Sequence, residues 1–232
     1  MALHSISLLA LLLGLTLATQ PPSKSYRPLL QRIFGMFGEA PSSAAAAYKL
    51  GLLTFLGDIS KVSQNGIKCS SESRAIIRSL VAKLEATNPT AKPARSAAND
   101  GYWRLLYTDF MPAAPSSGKL GPFVGDVFQR ISSRESPPTI DNILKISVPP
   151  LGGRLRADQR AISDNKWEIT FDFVQNEVFG IALPPIKFKT VEKRTWKIVF
   201  LDSDLKIIRA YNSAFSEEDV TPFIFVLRRE QE

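Results

Sequence analysis

The sequence has almost none of the side chains that run hydrolytic or metal chemistry. Among 232 residues there is one histidine, His4, and one cysteine, Cys69. His4 lies in an apolar amino-terminal segment with the marks of a removable leader, so the processed chain would hold no histidine. That excludes Ser–His and Cys–His pairs and histidine metal sites. A single cysteine excludes an intrachain disulfide framework. Cys69 precedes a helix whose N-terminus would lower its pKa, but with no histidine to activate it the thiol reads as a bystander. No G-x-S-x-G, phosphate loop or dinucleotide fingerprint is present, and Gly121, Gly125, Gly152 and Gly153 read as turn glycines beside strands. Carboxylates remain, so acid–base chemistry is not excluded by composition. The reading is nonetheless a non-enzyme without a cofactor.

What is present is an ordinary globular composition, 44% hydrophobic and 22% charged, behind an unusual leader. Residues 6–17 (ISLLALLLGLTL) form an apolar run with Thr16 and Ala18 at the positions that cleavage reads. This predicts a signal peptide over residues 1–18; the rival is an uncleaved anchor or a buried helix. Residues 19–45 are basic, rich in serine and alanine, and carry Glu39 as their only acid. That is either transit-peptide composition or a disordered linker. A signal followed by a transit-like segment resembles the bipartite leader of algae with secondary plastids; plain secretion is the alternative. Residues 46–232 form the domain. Its net charge falls from the whole chain's +7 to +5, because Lys24, Arg27, Arg32 and Glu39 leave with the leader. The remaining charges are mixed in sign along the strands, unlike a nucleic-acid groove, and favour at most mild attraction to anionic lipid surfaces.

Two helices open the domain. Over residues 48–62, Leu52, Phe55, Leu56, Ile59 and Val62 share one side; over 71–87, Ile76, Ile77, Leu80, Val81 and Leu84 do. After Gly101 the period changes from 3.6 to 2. Strand-like segments follow at 102–108, 124–131, 139–148, 153–162, 167–173, 178–183, 194–201, 205–211 and 222–228, separated by Gly, Pro, Asn and Asp clusters. Short strands in series with no helix between them predict an antiparallel meander, closed into a barrel over 101–230 to remove its edges. The fold expected is mainly β (α+β), a lipocalin-like antiparallel barrel preceded by two helices.

The dry face of these strands carries Trp103, Leu105 and Tyr107; Trp167, Ile169, Phe171 and Phe173; and Trp196, Ile198 and Phe200. An eight-strand barrel is just wide enough to be filled by side chains or to hold one small ligand. Polar residues in the inward register favour a ligand: Asn142 beside Ile140 and Leu144, Gln159 beside Ala157, and Arg209 beside Ile207. The candidate ligand-binding set is therefore Trp103, Asn142, Gln159, Trp167, Phe171, Phe173, Trp196 and Arg209. A filled core with polar residues at its rim is the alternative. Asp202 and Asp204 read as turn residues rather than an acid–base pair.

Leu84-Glu85, Asn88-Pro89-Thr90 and then Gly101, Trp103, Tyr107 and Thr108 match an L-E-x-x-N-P-T helix end followed by a G-x-W-x-L-x-Y-T strand. Phe200-Leu-Asp-Ser-Asp-Leu-Lys-Ile-Ile-Arg209 and Phe225-Val-Leu-Arg228 match a closing Y-L-D-x-D-L-R-I-x-R-G and F-V-L. On these motifs the chain, over residues 48–230, resembles the plastid lipid-associated protein (fibrillin) family. It departs at Ala210, where the family has glycine, at Lys206, and in the long interval of residues 211–220. The resemblance implies a lipocalin-like barrel that holds or coats a hydrophobic molecule (a quinone, carotenoid or acyl lipid) at thylakoids or plastid lipid droplets. Partners implied are a lipid, a membrane or droplet surface, and a lipid-metabolism enzyme, with no nucleic acid. The secreted lipocalin-type carrier and the filled coat or adaptor protein are the alternatives. Gly101-x-Trp103 also resembles the lipocalin first strand, in which a late-strand arginine packs on the indole; Arg209 or Arg228 would be that cation.

Overall fold

The computed structural model describes residues 43–110, 115–190, 193–211 and 221–231. The expected signal peptide at 1–18, most of the segment at 19–45 and the side chain of Val62 lie outside the described residues. The chain divides into two units, Met1–Asp58 with Ser71–Thr87, and Ile59–Ser70 with Asn88–Glu232.

In the first unit, α1 (Ala44–Ser63) begins where the Ser43 hydroxyl accepts the Ala46 amide at 3.2 Å. Leu52, Phe55 and Leu56 are its buried side chains there. α2 (Ser71–Ala86) carries Glu72 in its first turn and Lys83 in its last, each of the sign that favours its end of the helix dipole. Its i, i+3, i+4, i+7 set Ile77, Leu80, Val81 and Leu84 is buried.

The second unit is a closed barrel. Eight long strands, β1 (Gly101–Thr108), β4 (Asp126–Ser132), β5 (Thr139–Ile146), β6 (Leu151–Ala161), β7 (Lys166–Val178), β10 (Lys193–Leu201), β11 (Leu205–Tyr211) and β12 (Phe223–Glu230), each pair antiparallel with the next. β12 returns to β1, from Tyr102 against Glu230 to Thr108 against Phe225, and closes the ring. The short strands β2 (Lys119–Leu120) and β3 (Phe123–Val124) form a separate hairpin. β8 (Ile181–Ala182) and β9 (Ile186–Lys187) run back along the far half of β7. Pro184 and Pro185 separate them, since proline has no amide to give to a ladder. The segment read as one strand at 178–183 is thus the end of β7, a two-residue turn at Phe179 and Gly180, and β8.

Cross-strand partners share a face, so the register sorts inside from outside. Inside lie Trp103 and Leu105, Val127 and Ile131, Ile140 and Leu144, Ala157, Trp167 and Ile169, Trp196 and Ile198, Ile208, and Phe225 and Leu227. Three β-bulges break the alternation, at Leu105/Tyr107, at Phe171/Phe173 opposite Arg156/Ala157, and at Ile198/Phe200. Each inserts one residue and turns the next expected core aromatic to the outer face. Tyr107 then pairs with Val226, Phe173 with Arg156 and Phe200 with Ile207.

One end of the barrel is closed by a strap of two 3-10 turns, Pro93–Arg95 and Ala97–Asn99. At the other end the turn after α1 grips the wall: the Thr108 amide donates to the Asn65 carbonyl at 2.8 Å. Gly66 in that turn has φ +97°, and a Cβ there would sit 2.2 Å from the Thr108 carbonyl oxygen, so the close approach requires glycine.

Candidate ligand site in the barrel

The strap makes the floor. Trp103 and Trp167 are buried, so each indole N–H needs an acceptor. Trp103 donates to the Asn99 carbonyl and Trp167 to the Ala94 carbonyl, both at 2.8 Å. The cation on Trp103 is neither Arg209 nor Arg228 but Arg229, whose guanidinium lies 4.2 Å from the ring centre. Arg229 pairs with Trp103 across the β12–β1 seam and donates to the carbonyls of Ser203, Asp100 and Ala98. It therefore fastens the strap, the β10–β11 turn and the last strand together.

A second basic side chain faces the same indole. Lys206 Nζ is 4.4 Å from the Trp103 ring centre, fully buried, and has no hydrogen-bond acceptor among the described residues. Desolvation first, and the neighbouring Arg229 charge second, hold its pKa well below the ordinary lysine range, against a smaller upward pull from Asp100.

Polar groups in the lumen form a row across the sheet. Trp103 pairs with Gln129, Gln129 with Asn142, Asn142 with Leu155, and Leu155 with Val174. Gln129 is buried and its Oε1 has no partner among the described residues. Sequence reasoning missed it, although the period that places Val127 and Ile131 inside passes through it. Gln159 pairs with Ile169 on the inner face, and its Oε1 is likewise buried without a partner among the described residues. With Asn99, Ala161 and Trp167 it lines a cleft of about 290 Å³ beside the strap.

Of the residues expected to bind ligand, Trp103, Asn142, Gln159, Trp167, Phe171 and Trp196 face inward. Phe173 and Arg209 do not, and both expectations are corrected. The bulge at Asp172 turns Phe173 outward, where the Arg154 guanidinium covers its ring at 5.7 Å. On β11 the inward residues are Lys206, Ile208 and Ala210, which leaves Arg209 on the outer face between Lys197 and Ile224.

The lumen is not uniform. Inward side chains of β1, β11 and β12 up to the Trp103 level are buried almost without exception, whereas Asn142, Leu155, Phe171 and Val174 on β5–β7 are half-buried. Ile186, opposite Val174, is 62% exposed. Phe188, whose ring centre is 6.2 Å from that of Phe171, is also exposed. One side of the lumen is therefore an accessible apolar wall. Its outer surface is held by Asp141, which accepts from Arg130 at 2.9 Å and from Arg154 at 2.8 Å while Arg156 bridges to Glu135.

A half-exposed apolar inner wall with a few inward amides suits a hydrophobic ligand with one polar end. The family model for PAP_fibrillin matches residues 52–215, more than two thirds of the chain. The chain belongs to the PAP_fibrillin family. No curated protein matches it. Membership makes this PAP_fibrillin chain a plastid lipid-associated structural protein, of a family that is lipid-associated rather than catalytic. Its barrel is lipocalin-like.

Proposed function

We propose that the chain carries one hydrophobic molecule, a quinone, carotenoid or acyl lipid, at plastid membranes or lipid droplets. The observation that carries this reading is the half-exposed inner wall of Leu155, Phe171, Val174 and Ile186. Apolar surface that faces a lumen and still meets water gains about 25 cal/mol per Å² when a ligand covers it. Gln129 and Asn142, with Gln159 deeper, would take the polar end of the ligand. Extraction of the purified protein and mass spectrometry of the extract should return one class of apolar molecule at near-equimolar amount. An empty extract, together with no uptake of a naphthylamine fluorophore, would rule the reading out.

The three buried tryptophans favour a second reading, a filled barrel that coats lipid surfaces or recruits a lipid-metabolism enzyme. Enlarging the half-open wall with Leu155→Trp separates the two: it abolishes carriage and leaves a coat unaffected. Residues 1–18 as signal peptide and 19–45 as transit segment would deliver the 46–232 domain to the plastid. Fusing residues 1–45 to a fluorescent reporter tests the route, and secretion into the medium would sink it.

A further inference from the structure

The turn between β7 and β8 is built with a residue ill suited to its geometry. Val178 pairs with Ile181, leaving Phe179 and Gly180 as a two-residue turn with φ of 52° and 79°. Two positive φ values in a row belong to the type I′ hairpin turn, which favours Asn, Asp or Gly at its first position. A phenylalanine there strains the backbone and recovers nothing by burial, since Phe179 is 69% exposed. Ile181, Leu183, Ile186 and Phe188 follow it, all exposed. Val148, 84% exposed, projects from the adjoining β5–β6 turn, which the Phe179 amide joins through the Pro150 carbonyl at 2.8 Å. A soluble surface seldom carries so continuous an apolar patch without a partner.

The charge around it is mainly positive. Between Phe179 and Thr190 the chain has Lys187 and Lys189 and no acid, and one exposed carboxylate, Glu177, pairs with Ala182 at the base of the hairpin. Aromatic and aliphatic side chains at a tip with lysines behind them match the boundary between acyl chains and anionic headgroups. The patch also runs into the lumen: Ile186 belongs to the row of Val174 and Leu155, and Phe188 lies beside Phe171. We infer that residues 178–190, with Val148 beside them, insert into an anionic lipid surface, Phe179 foremost. This rests on the carriage reading above and adds its geometry, because a lipid surface on this hairpin meets the open wall of the lumen without intervening water.

The test uses the full chain and vesicles of three parts phosphatidylcholine to one part phosphatidylglycerol. In Phe179→Trp, the added emission should shift to the blue on vesicle addition and be quenched when the phosphatidylcholine is brominated; the native tryptophans are buried and serve as the background. Phe179→Asn suits the turn, so its thermal midpoint should hold or rise while vesicle affinity falls about tenfold. Lys187→Glu with Lys189→Glu should weaken binding at low salt and much less at high salt. Phe179→Trp emission that stays water-like on vesicle-bound protein, or Phe179→Asn that binds like the parent, overturns the inference. So does a hairpin that captures a protein and ignores vesicles. Fluorophore uptake without vesicles reads carriage separately: uptake with no tip insertion sinks docking alone, and insertion with no uptake sinks carriage alone.

Discussion

The two sides of the barrel are built to different standards. On β10, β11, β12 and β1 both faces are buried: Ile198, Ile208 and Leu227 inside, Phe200, Ile207, Val226 and Tyr107 outside. On β5, β6 and β7 the inner face is half-wet, and the outer face is held by arginines on carboxylates rather than by apolar contact. Apolar burial on two faces stabilises a strand by dense packing along its length, whereas the arginines of the open side converge on one buried carboxylate, Asp141. The closed side therefore holds the fold, and the open side is left free to meet something else.

The sharpest way to break this contrast is Trp103→Ala. It removes a fully buried indole, its bond to the strap and the surface on which Arg229 rests, and should cost about 3–5 kcal/mol in urea titration. A smaller loss would mean that the floor is less tightly packed than its burial indicates. On the open side the largest stability effect should come from Asp141→Asn, about 2 kcal/mol by the same titration, because Asp141 is 1% exposed and two arginines donate to it. Phe171→Ala should cost only about 1–2 kcal/mol of stability, since its side chain is half-exposed, yet lower fluorophore affinity about tenfold. Equal losses of stability and affinity would erase the division of labour. Arg209→Ala should change stability by no more than about 0.5 kcal/mol and leave fluorophore binding untouched.

Lys206 gives the closed side a pH signature. Its folded-state pKa is lowered, so between that value and the ordinary 10.5 the unfolded chain binds a proton that the folded chain does not. Stability contributed by this site should rise with pH through that interval and level off above it. In Lys206→Met the rise should vanish, and stability at neutral pH should match or exceed the parent, as expected when a buried amine without an acceptor is replaced by an apolar chain.

Much of this was legible in the sequence, for a physical reason. Alternation at period 2 reports which residues meet water, so Trp167, Ile169 and Phe171 were placed correctly, as was the change from helical to strand period at Gly101. A bulge is a single inserted residue with no compositional mark, and all three misplaced aromatics, Tyr107, Phe173 and Phe200, follow one. Arg209 was misplaced because Leu205 and Ile207, its neighbours in register, are buried on the outer face rather than in the lumen. Arg229 was missed because only the β12–β1 pairing brings it to Trp103. The hairpin tip was invisible to turn chemistry, since Phe-Gly is not a sequence that announces a type I′ turn.

The seam between β12 and β1 also governs how the barrel comes into being. Tyr102 finds its partner, Glu230, more than a hundred residues further along the chain. Synthesis, or threading through a pore from the amino terminus, delivers β1 long before β12. Until then the sheet has two bare edges and an uncovered floor, the condition in which strands of separate chains pair with one another. Assembly of this protein should be slow and completed only after the chain is released.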